Sequence, residues 1–170
     1  MNSLNQYDIA AAQFYSKMSI KGLPISSWEF YIDSLEKLKV YGKDLNILKE
    51  MSTVWKNNWD FNHELIQKES VIIITDTQLK IVYASINIKK MTGYNPKELL
   101  GNSPKIFQGE KTDKITSKRI RKAIQNEEAF KAELINYKKN GNEYLCSIEG
   151  FPIYNKEDNL INFIAFEKVI

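Results

Sequence analysis

The chain has 170 residues, a hydrophobic fraction of 43% and a formal net charge of +3 at pH 7. This length fits one ordinary domain, or one small domain with an extension, and the hydrophobic fraction is sufficient for a packed core. The acidic and basic residues are interleaved, which argues against nucleic-acid binding, and the single cysteine allows no internal disulfide. We see neither a signal peptide nor an apolar run long enough to span a membrane. We therefore expect a cytoplasmic protein with no membrane association.

The first part of the chain is predicted to be helical. Apolar residues recur at steps of three and four within residues 28–55, which is typical of amphipathic helices. Gly42 is expected to end the first of these helices, and Asp44 to begin the next. Further helices are predicted over residues 7–19 and residues 61–68.

From Ser70 onward the pattern changes to that of strands joined by short helices. A run of β-branched residues at 71–74 predicts a buried strand, and Asn140-Gly141 is typical of a tight β-hairpin. In chain order the predicted elements are strands over residues 71–75 and 79–84, helices over 86–91, 96–100 and 113–125, and strands over 133–138, 144–151 and 160–168.

This order predicts an α+β fold, a five-stranded antiparallel sheet with its helices on one face. The domain is expected over residues 70–170, preceded by an N-terminal helical extension over residues 1–69.

One loop, residues 101–109 with the sequence GNSPKIFQG, resembles the flavin-loop signature of light-oxygen-voltage (LOV) photoreceptor domains. These domains are a branch of the PAS sensor superfamily, and the resemblance implies the PAS fold over residues 70–170. The segments that share its order and spacing are residues 74–76, 91–94, 98–101, 108–113, 120–124 and 134–141.

The resemblance implies a site for flavin mononucleotide (FMN); three residues match it, and a fourth keeps the charge of the family's residue. Gln108 stands at the loop glutamine that hydrogen-bonds the ribityl-phosphate side of the flavin. Arg121 stands at a phosphate-binding arginine, and Lys105 replaces a second arginine, which keeps the charge but loses the bidentate geometry. Asn136 stands at the first of two asparagines that hydrogen-bond the polar edge of the flavin ring.

Other positions depart from the family. Pro104 replaces the cysteine that adds covalently to the photoexcited flavin, and Ser103 replaces the asparagine before it. Cys146 replaces the second ring-binding asparagine, and it is either a relocated reactive thiol or an inert packing residue. Glu167 replaces the last-strand glutamine; an ionised carboxylate only accepts hydrogen bonds, so burying it is costly unless it is protonated or paired.

Three functions stay open. The first is a non-catalytic sensory or signalling module that forms no cysteinyl-flavin adduct. The second is an FMN-binding flavoprotein with adduct-free redox or radical photochemistry, and the third is a ligand-free interaction domain. The sequence contains no nucleophile–base pair, metal-ligand cluster or glycine-rich phosphate loop, so neither an enzyme nor a metal site is expected. The expected partner is a second copy of the chain, through the helical extension, or another signalling protein.

Overall fold

The computed structural model describes the backbone of residues 25–170, and the side chains of residue 32, residues 35–37 and residues 39–170. The helix predicted over residues 7–19 lies outside the described residues. The chain divides into two compact units, residues 1–36 and residues 37–170. The whole sheet belongs to the second unit.

A single helix, α1, runs from Ile25 to Met51, so the predicted break at Gly42 is wrong. Glycine inside a helix costs about 1 kcal/mol relative to alanine, which tertiary contacts can offset. Two residues that follow Gly42 in α1 supply such contacts. Leu48 is fully buried, and the Asp44 carboxylate accepts a hydrogen bond from the backbone N–H of Ile86 at 2.9 Å. The Asp44 side chain therefore binds a distant N–H instead of capping a new helix.

The remaining elements follow the predicted order, with ends that differ by a few residues. The strand predicted over residues 144–151 is longer, at Glu143–Tyr154, and the one predicted over residues 79–84 is shorter, at Ile81–Ala84. A 3-10 turn, Ser52–Val54, follows α1. The helix predicted over residues 61–68 is present over residues 61–67, and most of it is the π-helical turn His63–Gln67. No helix within residues 25–170 is both long and apolar enough to cross a membrane. The other elements are β1 (Val71–Asp76), β2 (Ile81–Ala84), α2 (Ile88–Thr92), α3 (Pro96–Leu99), a 3-10 turn (Pro104–Phe107), α4 (Lys114–Gln125), β3 (Phe130–Tyr137), β4 (Glu143–Tyr154) and β5 (Leu160–Val169).

The five strands form one antiparallel sheet in the order β2-β1-β5-β4-β3, which confirms the predicted fold class. Strand β1 lies between β2 and β5, and its first five residues are buried, as expected for a β-branched run in the middle of a sheet. The Asn140-Gly141 turn joins β3 to β4, and Gly141 has a φ of +84°, a conformation that glycine adopts without strain.

The sheet has apolar side chains on both faces. On the inner face, residues such as Ile73, Leu134 and Ile148 pack against α2, α3 and the turn at residues 104–107. On the outer face, the segment of residues 41–67 packs on the strands. Its buried side chains are Leu48, Trp55, Phe61 and Leu65, which contact a cluster that includes Ile72, Ile74, Ile164 and Phe166.

Aromatic contacts strengthen the outer layer. The Trp59 ring lies 4.9 Å from the ring of Phe151 and 5.2 Å from that of Phe166, centroid to centroid. Such pairs stabilise by about 0.5–1.5 kcal/mol beyond the area they bury. The strands therefore bury one face under this segment and leave the other to form the wall of a cavity.

Candidate functional site

A cavity of about 610 Å³ lies between the inner face of the sheet and the chain from Ser103 to Ile124. This size is within the range of about 300–1,000 Å³ typical of small-molecule and cofactor sites. Its apolar walls include the side chains of Phe107, Phe130 and Phe163. The walls suit a flat, largely apolar ligand.

Five of the six predicted site residues line this cavity, and they fall into two groups. Lys105, Gln108 and Arg121 are exposed, while Asn136 and Glu167 are buried on the inner face of the sheet. Cys146 is fully buried and does not line the cavity; its thiol lies 3.7 Å from a Glu167 carboxylate oxygen. The cavity therefore has a polar, exposed side and a buried, polar floor.

The exposed side carries a cationic cluster of four residues, Lys105, Lys114, Lys118 and Arg121. The last three are spaced three and four residues apart on α4, which places them along one side of the helix. Asp113 fixes the start of α4, because its carboxylate accepts from the backbone N–H groups of Ile115 and Thr116.

Within the described residues none of these four cations forms an ion pair. Their combined charge therefore attracts an anionic group such as phosphate. Lys114 and Lys118 were missed as site residues by sequence reasoning, although their spacing from Arg121 was a visible signal.

The buried floor contains polar atoms without partners. Asn136 is 3% exposed and Thr75 is 6% exposed, yet Oδ1 of Asn136 and Oγ1 of Thr75 have no hydrogen-bond partner among the described residues. Each such atom costs about 1–3 kcal/mol if left unpaired. Both residues line the cavity, so a ligand with hydrogen-bonding groups would satisfy them. Thr75 was not predicted as a site residue; a polar side chain directly after a run of buried β-branched residues was the only signal.

Glu167 lies on the same floor and is 4% exposed. In the sheet register it stands opposite Val71 of β1 and Ile148 of β4, both apolar. Burial raises the pKa of the Glu167 carboxyl to about 7, and a hydrogen bond from the Cys146 thiol lowers it in part. Burial, and next the charge of Glu167, raise the pKa of the Cys146 thiol well above its usual range, so it stays a neutral thiol.

Pro104 stands in the cavity wall as the first residue of a 3-10 turn. Proline is favoured there because its fixed φ suits the turn and its missing N–H has no partner to lose. The wall position that corresponds to the reactive cysteine of the resembled family therefore carries no thiol. Two glycines also shape the site: an added methyl group at Gly150 would lie 2.3 Å from the Phe130 ring, and one at Gly109 2.4 Å from the Tyr137 ring.

No group of three or more His, Cys, Asp or Glu side chains within the described part of the chain has the geometry of a metal site.

Comparison with protein families gives a match to the model described as "PAS domain" over residues 68–168. Among curated proteins, Protein TWIN LOV 1 of Arabidopsis thaliana is 38% identical over 88 residues, 51% of this chain and 22% of the relative. A blue-light photoreceptor of Listeria innocua is 33% identical over 100 residues, 57% of this chain and 39% of the relative. The chain thus spans less than half the length of these relatives.

Solved structures of LOV domains are also similar to this chain. A domain from a study titled "Flavin Analogue Sheds Light on Light-Oxygen-Voltage Domain Mechanism" superposes with a TM-score of 0.61 and 25% identity, over 66% of this chain and 86% of that one. The light-state structure of the Aureochrome1 LOV domain superposes with a TM-score of 0.58 and 26% identity, over 63% of this chain and 87% of that one.

Proposed function

The chain belongs to the PAS domain family and is a sensory domain of the LOV type, and from this we propose that it binds a flavin nucleotide and signals without a cysteinyl-flavin adduct. The observation that carries the proposal is the cavity, which combines a cationic cluster, apolar walls and unpaired buried polar atoms. The ligand-free alternative is disfavoured, since the described residues of the protein supply no partner for those atoms.

The residues of the cavity fit FMN. The cationic cluster would hold its phosphate, with Arg121 able to donate two parallel hydrogen bonds. Gln108, at the exposed side, would bind the linker between phosphate and ring. The buried Oδ1 of Asn136 would accept a hydrogen bond from the polar edge of the ring. When bound, a flavin supplies absorption of blue light and electron-transfer chemistry.

Adduct formation needs a thiolate against the ring. Pro104 offers no thiol, and Cys146 is outside the cavity wall with its pKa raised by burial, so neither residue supplies one. The signal must then come from a change in hydrogen bonding or in the redox state of the ligand. The blue-light photoreceptor among the relatives supports light as the stimulus.

Absorption spectroscopy of the protein reconstituted with FMN tests this function. We expect a bound flavin with the usual blue absorption band, and no reversible loss of that band under blue light in the absence of an electron donor. The matched control is Pro104→Cys, which restores a thiol in the wall and is expected to introduce adduct formation if the geometry suffices. Failure to bind FMN would reject the proposal. Adduct formation in the wild-type chain would reject the part that says the protein signals without a cysteinyl-flavin adduct.

For the partner, we propose a second copy of the chain, or a signalling protein, bound through α1. The outer face of the sheet is already covered by residues 41–67, so a partner needs another surface. Val40 is 57% exposed and Ile47 is 43% exposed, and their spacing of two helical turns places them on one side of α1.

Size-exclusion chromatography with light scattering tests the partner proposal. A homodimer of the wild-type chain should dissociate in the double variant Val40→Lys/Ile47→Lys. The variant Lys49→Gln, on the opposite side of the helix, should remain a dimer. A wild-type chain that is monomeric at every concentration would contradict the homodimer and leave a different signalling partner.

A further inference from the structure

Glu167 is the one acidic side chain among the described residues that line the cavity. Its neighbours in the sheet register, Val71 and Ile148, carry no charge, and its one hydrogen-bonding contact is the Cys146 thiol at 3.7 Å. The Glu167 carboxyl can therefore form further hydrogen bonds, and because its side chain is only 4% exposed, bulk water does not supply them.

The charged groups around Glu167 do not compensate for an ionised carboxylate. The neighbouring residues of β4, Tyr144 and Cys146, are neutral, because burial raises the pKa of both. Glu167 lines the large cavity and also a smaller one. Lysines and one arginine line these two cavities as well, but none of them forms an ion pair with Glu167. These cations are Lys105, Lys114, Lys118 and Arg121 in the large cavity, and Lys68, Lys90, Lys138 and Lys168 in a smaller one of about 360 Å³.

A buried carboxyl without a cation is stabilised in its neutral form. A neutral carboxylic acid has one O–H donor and retains acceptor capacity, so it offers the same two functions as a glutamine amide. On the same inner face, Oδ1 of Asn136 is an unpaired acceptor. Together the two residues present a donor and an acceptor, which match a carbonyl and an N–H group of a flavin ring.

We propose that Glu167 takes part in ligand binding as a neutral carboxylic acid that donates a hydrogen bond to a flavin carbonyl, so that binding is coupled to protonation of Glu167. This inference rests on the proposed function, because it takes the ligand class from it. A direct consequence is that affinity is highest when Glu167 is already neutral and falls as the carboxyl ionises.

The size of the effect follows from the fraction of neutral Glu167. With a pKa of about 7, this fraction is about 0.9 at pH 6 and about 0.1 at pH 8. The dissociation constant should therefore rise about tenfold between these two pH values. At pH 7.5, binding should take up between a half and one proton, since most molecules start ionised.

Riboflavin is the appropriate probe, because it lacks the phosphate group, whose second ionisation near pH 6 adds its own pH dependence. We would titrate riboflavin into the wild-type chain, Glu167→Gln and Glu167→Met from pH 5.5 to 8.5, following flavin fluorescence. Calorimetry in two buffers with different heats of ionisation would measure proton uptake. Glu157→Gln, in the exposed turn between β4 and β5, is the matched control for loss of one charge.

The expected result has three parts. The wild-type chain and Glu157→Gln lose about tenfold in affinity from pH 6 to pH 8 and take up a proton on binding. Glu167→Gln binds with an affinity that does not change with pH and takes up no proton. Glu167→Met, which has no donor, binds weakly at every pH; circular dichroism verifies that both variants are folded.

Two outcomes would overturn the inference while leaving flavin binding intact: an affinity of the wild-type chain that does not change with pH, or proton uptake that persists in Glu167→Gln. Infrared difference spectra of the ligand-free wild-type chain against Glu167→Gln give an independent measurement. A carboxylic-acid C=O band at pH 6 is expected, and a carboxylate band in its place would also overturn it. If neither riboflavin nor FMN binds any of these proteins, the proposed function itself is rejected, and the inference with it.

Discussion

The substitution Glu167→Gln should remove a pH-dependent loss of folding stability from the ligand-free protein. The side chain is 4% exposed, and burial raises the pKa of its carboxyl from 4.5 to about 7. Below pH 4.5 the carboxyl is protonated in both the folded and the unfolded chain, and it contributes no penalty. As the pH rises above 4.5 the unfolded chain ionises first, so the folded state loses stability until the pH passes about 7, where the folded chain ionises too.

The magnitude follows from the difference between these two pKa values at about 1.36 kcal/mol per unit. The loss in the free energy of unfolding is about 2 kcal/mol at pH 6 and about 3 kcal/mol at pH 8. Glutamine has nearly the same shape and does not ionise. The stability of Glu167→Gln relative to the wild-type chain should therefore increase by about 3 kcal/mol from pH 4.5 to pH 8.

Urea denaturation of both proteins at pH 4.5, 6, 7 and 8 measures this difference. Any constant offset between the two proteins, from packing or hydrogen bonding, appears at pH 4.5 and is subtracted. The control Glu157→Gln removes an exposed carboxyl from the β4–β5 turn and should follow the wild-type curve. A difference between Glu167→Gln and the wild-type chain that stays constant, or that decreases with pH, would refute the reasoning.

Three further substitutions test other parts of the structure. Asp44→Ala should lower the free energy of unfolding by about 1–3 kcal/mol in urea denaturation, because the N–H of Ile86 loses its acceptor. Gly150→Ala should destabilise by about 1–3 kcal/mol and weaken flavin binding, since the new methyl group forces the Phe130 ring to move. Arg121→Gln should weaken FMN binding about tenfold in a fluorescence titration, through loss of a charged phosphate ligand.

Each of these has its own control. The exposed neighbour Lys43→Ala should leave stability unchanged, and an equal loss in both α1 variants would contradict the role of Asp44. Phe130→Leu should relieve much of the Gly150→Ala effect, so additive losses in the double variant would count against the clash. Riboflavin, without a phosphate, should bind Arg121→Gln as it binds the wild-type chain; an equal loss for both flavins would exclude a phosphate contact.

The sheet was predictable from the sequence because its signals are local. A β-branched run, alternating strands and an Asn-Gly turn each determine structure over a few residues, and together they predicted the five-stranded antiparallel sheet. The same holds for the loop at residues 101–109: a proline in the position of a reactive cysteine excludes a thiol there whatever the tertiary structure.

The helical region was harder to predict, since its signals have two meanings. Gly42 and Asp44 are typical of a helix end and a helix start, yet α1 continues through both. Whether the helix ends at Gly42 or continues depends on Ile86 and on the outer face of the sheet. Both are distant in sequence, and they supply the contacts that offset the cost of a glycine in a helix.

The sequence by itself determined the fold, the cationic spacing on α4 and the absence of a thiol at position 104. Only the tertiary structure decided which of the polar positions share one cavity, that Cys146 lies outside its wall, and that no lysine or arginine side chain of the described residues forms an ion pair with Glu167. The physical reason is that a side chain's charge state depends on its burial and on its neighbours in space. A glutamate in a sequence is nominally an anion, and only its surroundings in the fold favour the neutral acid.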